Sequence, residues 1–208
     1  IEVLQNKYGV FIMEHLAVVA DTVQKIIDIE LTWKIDETGK IIASMEAQKD
    51  EEFPDLPRFG IRLFLDKKFE DVAYYGMGPH ESYRDKHQAT SHGIYRSKVT
   101  DLHEDYIRPQ ENGSHYDCDY VELTNAQYGF AIVSEDSFSF NASYYTQEVL
   151  EQTEHNFELE ESDSTVLCVD YALNGIGSNS CGPVVLDQYR FRENEFRFQL
   201  KLVPYVKR

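Results

Sequence analysis

Between Ile27 and Ile35 the chain alternates without a break: Ile27, Ile29, Leu31, Trp33 and Ile35 share one side, and Asp28, Glu30, Thr32 and Lys34 the other. A period of two marks a strand with one face buried. The cluster Asp36-Glu37-Thr38-Gly39 predicts a turn, and Ile41, Ala43, Met45 and Ala47 then share a face, so the two runs read as a β-hairpin. The pattern returns in Phe59, Ile61, Leu63 and Leu65, less cleanly in Val121 to Leu123, Gly129 to Val133 and Thr165 to Tyr171, and again in Phe196, Phe198, Leu200 and Leu202. Only Thr146 to His155 has a helical pattern. Short strands at such spacing predict an all-β fold, an antiparallel sandwich. With no linker-like stretch and no internal repeat, one domain over residues 1–208 is expected.

Three segments do not fit the strand pattern: Tyr75 to His87, Tyr106 to Asp119 and Asn174 to Pro183. Polar loops on a rigid sandwich are where function tends to sit. The first offers Glu81, Arg84 and Asp85, either as a polar wall for a sugar or as groups that satisfy one another and nearby backbone amides inside a turn. In the second, Arg108, Glu111 and Asn112 surround an Asn-Gly turn signal, and Arg108 with Glu111 reads equally as a buried pair fixing that turn. On an extended segment His115, Asp117 and Asp119 point one way and Cys118 the other, which argues against convergence on a metal ion. The third has three glycines and a proline, but neither the third glycine nor the helix of a dinucleotide fingerprint. Its Cys181 has no neighbouring His, so a packing or ligand-contact thiol is expected rather than a nucleophile.

Composition narrows the partners. Lys and Arg number 20 against 37 Asp and Glu, a net charge of −17. No basic stripe is available to displace counterions, which argues against nucleic acid, and the same sign argues against an anionic membrane surface. No run approaches the length of a spanning helix: the best, Val10 to Ala20, is interrupted by Glu14 and His15. At 42% hydrophobic and 13% aromatic, the chain has the material for one sizeable core. Three widely spaced cysteines, with no CxxC, point to a reducing compartment, and a cytoplasmic location is expected. The chain starts at Ile1, and reads as a fragment or processed product.

Four stretches, in this order, resemble the C-terminal domain of β-galactosidases of glycoside hydrolase family 2: Leu56-Pro57-Arg58-Phe59-Gly60, Tyr75 through Asp85, Tyr106 through Gly113, and Gly175 through Pro183. The likeness runs from about Val18 to Val203. It implies a large twisted antiparallel sandwich, the supersandwich of galactose mutarotases, here lacking its first strands. It also implies an enzyme that removes terminal non-reducing β-D-galactose, as from lactose. Its catalytic glutamates lie in a separate barrel, so no catalytic residue is expected in this chain, which alone should be inactive. What the domain contributes is a loop over the barrel mouth. Cys181 stands where some members place Trp, a smaller contact with less stacking area, and Ser180 and Asn179 flank it as expected substrate contacts. The implied partners are the remaining domains or a large subunit, the galactoside, and further copies in an oligomer. No cofactor is expected in this piece; Mg²⁺ and Na⁺ would belong to the parent enzyme's absent barrel. Two alternatives stay open: an aldose 1-epimerase using His80 or His92 with Glu111, and a carbohydrate-binding module, although the alternation puts Trp33 in a core.

Overall fold

A computed structural model describes residues 1–21, 23–175 and 184–207. Among these are eleven strands, all paired antiparallel: β1 (Glu2–Asn6), β2 (Gly9–Val19), β3 (Lys25–Ile35), β4 (Ile41–Lys49), β5 (Arg58–Asp66), β6 (Asp71–Gly78), β7 (Ser91–Lys98), β8 (His115–Thr124), β9 (Tyr128–Ser143), β10 (Ser164–Leu173) and β11 (Glu195–Val206). One arm runs β1-β2-β3-β4-β11-β9-β8-β6-β7, and a second leaves β9 through β10 to β5.

The branch arises because β9 is long. Its Tyr128–Val133 part pairs with β11, whereas Ser139–Ser143 pairs with β10. The shorter arm folds over the longer one: Phe140, Leu167 and Val169 share a buried cluster with Val72, Val121, Ile132, Phe198 and Leu200. The fold is all-β, as the alternation predicted.

The predicted hairpin is β3–β4, with Ile35 opposite Ile41. Asp36 sets its turn, Oδ1 accepting from the Thr38 amide at 2.8 Å and hydroxyl at 2.6 Å, and Gly39 takes a φ of +80° that suits glycine. In β11, Phe196, Phe198, Leu200 and Leu202 are buried and the residues between them exposed. Trp33 packs half-buried against the core and donates from Nε1 to Glu14 at 3.2 Å.

Val10 to Ala20 is mostly strand β2, and among the described residues no helix is long and apolar enough to cross a membrane. Two expectations change. The helix predicted over Thr146 to His155 is shorter, α1 (Gln147–Gln152), with the Thr146 hydroxyl accepting from the Val149 amide at 3.3 Å and a 3-10 turn following at Asn156–Glu158. Finally, Tyr75 to Gly78 and His115 to Asp119 are strand rather than loop. The glycines of β6 mark close packing: a side chain at Gly76 would run into Cys118, and one at Gly78 into the Tyr74 hydroxyl.

Candidate functional site

β6 ends at a cis Gly78–Pro79 bond, and the chain then crosses beneath the segment leading into β8. Two bonds stitch the two together, and a third ties Ser82 back to β6. The Ser82 amide donates to the Ser114 carbonyl at 2.7 Å, the Ser82 hydroxyl to the Met77 carbonyl at 3.3 Å, and that hydroxyl accepts from the Tyr116 amide at 2.9 Å. Glu81 is at the centre of this crossing. Its Oε1 accepts from Lys86 Nζ and the Tyr106 hydroxyl, both at 2.5 Å, and its Oε2 from the Gly113 amide at 2.9 Å and the Tyr83 hydroxyl at 3.4 Å. Burial pushes the carboxyl's pKa up, but the bonds from Lys86, Tyr106 and Gly113 outweigh it, and Glu81 ends below its ordinary value. Of the expected satisfaction of Glu81, Arg84 and Asp85 by one another and by nearby backbone amides, the amide part holds for Glu81 through Gly113, and its other donors are Lys86, Tyr106 and Tyr83.

Asp85 lies against Gly175, where a side chain would collide with its carboxylate. Arg84 turns toward the end of the sandwich, with Nη1 3.4 Å from the Arg190 carbonyl. There it borders a groove of about 340 Å³ formed with Tyr116, Asp136, Tyr171, Glu193 and Arg197.

The second segment also finds a different partner. Glu111 pairs not with Arg108 but with Arg58 of β5, Oε1 to Nη1 at 3.1 Å. Arg58 clamps Asp170 of β10 with its other nitrogens, Nε to Oδ1 at 3.1 Å and Nη2 to Oδ2 at 2.6 Å. This fork-to-fork pair is buried, with the Asp170 side chain 4% exposed. Burial pushes Asp170 up to about 6; the Arg58 charge and bonds only partly oppose that, and Glu111 adds to it. Arg108 is exposed and borders an outer groove of about 390 Å³ beside Gln147. Asn112 closes its own turn: Oδ1 accepts from the Glu104 amide at 2.9 Å, and Nδ2 donates to the Gln110 carbonyl at 2.8 Å.

The alternation assumed for His115 to Asp119 fails. Asp117 has a φ of +54° and the β8–β9 register shifts on both sides of Cys118, so His115 and Cys118 are both buried. His115 Nδ1 lies 3.2 Å from the Met77 carbonyl, its ring stacks on Phe140, and its buried Nε2 has no partner among the described residues. Burial brings its pKa down to about 4. Among the described residues no group of three or more His, Cys, Asp or Glu could hold a metal ion. Cys118 and Cys168 are free and buried; burial pushes the Cys168 thiol up to about 12, which makes it unreactive near neutrality. His80 borders a groove with Glu81 and Lys86, His92 Nε2 faces the Asp117 carbonyl at 2.9 Å, and Glu111 is engaged with Arg58; neither histidine borders the groove that Glu111 does.

Cys181, Ser180 and Asn179 lie outside the described residues. Sequence reasoning missed Tyr116, Asp136, Tyr171, Glu193 and Arg197, which only the register of distant strands brings to Arg84. No local spacing signalled them.

The same fold occurs in solved sugar-epimerase structures. The galactose 1-epimerase of Lactobacillus acidophilus NCFM aligns with a TM-score of 0.57 at 9% identity, covering 100% of this chain and 66% of that one. At such identity the likeness concerns architecture alone. Sequence comparison goes further: the model of the β-galactosidase small chain matches residues 2–202. The β-galactosidase of Actinobacillus pleuropneumoniae is 42% identical over 199 residues, 96% of this chain and 19% of that protein. That of Staphylococcus xylosus is 40% identical over 204 residues, 97% of this chain and 20% of that one. The chain belongs to the β-galactosidase small-chain family, and spans about a fifth of the curated relatives it matches.

Proposed function

We propose that this chain acts as the C-terminal portion of a β-galactosidase of glycoside hydrolase family 2, an enzyme that removes terminal β-D-galactose from substrates such as lactose. The observation that carries this reading is the match along nearly the whole chain to proteins named β-galactosidase, of which it spans only a fifth. The bond-breaking carboxylates then belong to the remaining four fifths, and this piece alone is inactive. Two of its buried carboxylates are committed elsewhere: Glu81 ties two loops together and Asp170 is clamped by Arg58. On this reading Asn179, Ser180 and Cys181 line the galactoside pocket. Any Mg²⁺ or Na⁺ of the assembled enzyme then belongs to its barrel. The assembly is an oligomer working in the cytoplasm, in keeping with the free thiols of Cys118 and Cys168.

Complementation tests the reading. The chain is combined with the remainder of a β-galactosidase, and hydrolysis of a nitrophenyl galactoside is followed. Activity that neither part has alone is the expected result. Cleavage by the 208-residue chain unaided, or acceleration of galactose mutarotation by it, would overturn the assignment.

A further inference from the structure

We propose that the groove bordered by Arg84, Tyr116, Asp136, Tyr171, Glu193 and Arg197 binds a neutral saccharide unit. At about 340 Å³ it falls within the roughly 300–1,000 Å³ of small-molecule sites. Its aromatic wall is prearranged. The Tyr171 ring stacks on Phe196 with centroids 5.0 Å apart and planes 7° off parallel, and its hydroxyl donates to Glu193 at 2.6 Å. A sugar ring has an apolar C–H face suited to such a wall and a rim of hydroxyls that both donate and accept.

The charges define the ligand class. Two guanidinium groups, Arg84 and Arg197, and two carboxylates, Asp136 and Glu193, border the groove, with Arg197 also paired to Glu46 at its exposed rim, so the formal charges balance and no cluster of one sign favours a phosphate or an amine. Arg84 makes one long bond, to the Arg190 carbonyl, and its other donors have no partner among the described residues. A planar fork with unused N–H groups beside carboxylates suits a vicinal diol. A larger groove, of about 650 Å³, on the outer face of β3, β4 and β11 does not have this character. Its Asp28 is taken up by Lys25 and His15, and its Glu46 by Arg197.

The inference relies on the β-galactosidase reading only in choosing galactose as the first probe. Galactose, galacturonate and galactosamine are titrated into the 208-residue chain and into its reconstituted assembly, with amide NMR shifts at Tyr116, Ser139 and Tyr171 as the readout. The same spectra report whether each variant is folded. Saturable galactose binding is expected, stronger than that of either charged analogue, and weakened about tenfold in Arg84→Gln, with a loss of the same sign in Glu193→Gln. Absence of saturable shifts in both forms, binding unchanged by both substitutions, or preference for a charged analogue would overturn the proposal. Restored hydrolysis without sugar-dependent shifts in the groove would remove this inference and leave the β-galactosidase reading intact. Shifts without restored hydrolysis would do the reverse.

Discussion

Glu81 and Asp170 are both buried carboxylates facing a cation, yet their proton affinities move in opposite directions. Glu81 gathers four donors from Lys86, Tyr106, Gly113 and Tyr83, and is held below its ordinary value. Asp170 relies on Arg58 alone, shares it with Glu111, and rises to about 6. One cation does not offset the loss of water around a carboxylate; a ring of donors does.

The comparison is most exposed to Glu81→Gln. A neutral amide aims its own N–H groups at donors that lose their acceptor, and a loss of about 3 kcal/mol at neutral pH is expected in urea unfolding. Because the folded-state pKa of Glu81 is depressed, its contribution is present above the ordinary carboxylate range and lost as pH falls through the folded value. The penalty of the variant therefore shrinks in acid. Next is Gly60→Ala. The added methyl would run into the Val169 carbonyl and the backbone of Asp170, shifting the carboxylate from Arg58, and about 2 kcal/mol should be lost in the same assay.

His115 supplies a base to set beside the two acids. Folded, it resists protonation down to about pH 4, so its contribution is present above the ordinary 6.5 and lost as pH falls between the two. His115→Phe should cost about 1 kcal/mol at neutral pH, from the lost Met77 bond, and melt with a flatter acid limb. Asp170→Asn removes one of the two carboxylates that face Arg58 and leaves Glu111 beside it; its pH dependence is opposite to that of Glu81→Gln. Protonated Asp170 favours the folded chain, an advantage lost as pH rises from 3.8 through about 6, so the amide gains on wild type over that interval. Parallel pH slopes for the Glu81 and Asp170 variants would break the comparison.

β3, β4, β5 and β11 were legible in the sequence because apolar and polar positions alternate along each, whereas β10 read less cleanly because Thr165 to Asp170 are buried on both faces. β6 was hidden because Gly76 and Gly78 occupy core-facing positions where alternation calls for bulk, and glycine there reads as a turn. At the candidate site the residue types were legible but their partners were not. Arg58 and Asp170, 112 positions apart, meet through the β5–β10 register, and Glu111 reaches the same Arg58 rather than the arginine three positions away. The groove at Arg84 was invisible for the same reason.

β9 belongs to both arms of the sheet, pairing with β11 along its first residues and with β10 along its last. Neither arm can come apart without pulling on the strand they share, so the molecule should melt as a single cooperative unit, with amides of β5 and β4 exchanging by the same global opening. A sugar held at Asp136, on the stretch of β9 between its two partners, would then brace the joint on which both arms hang.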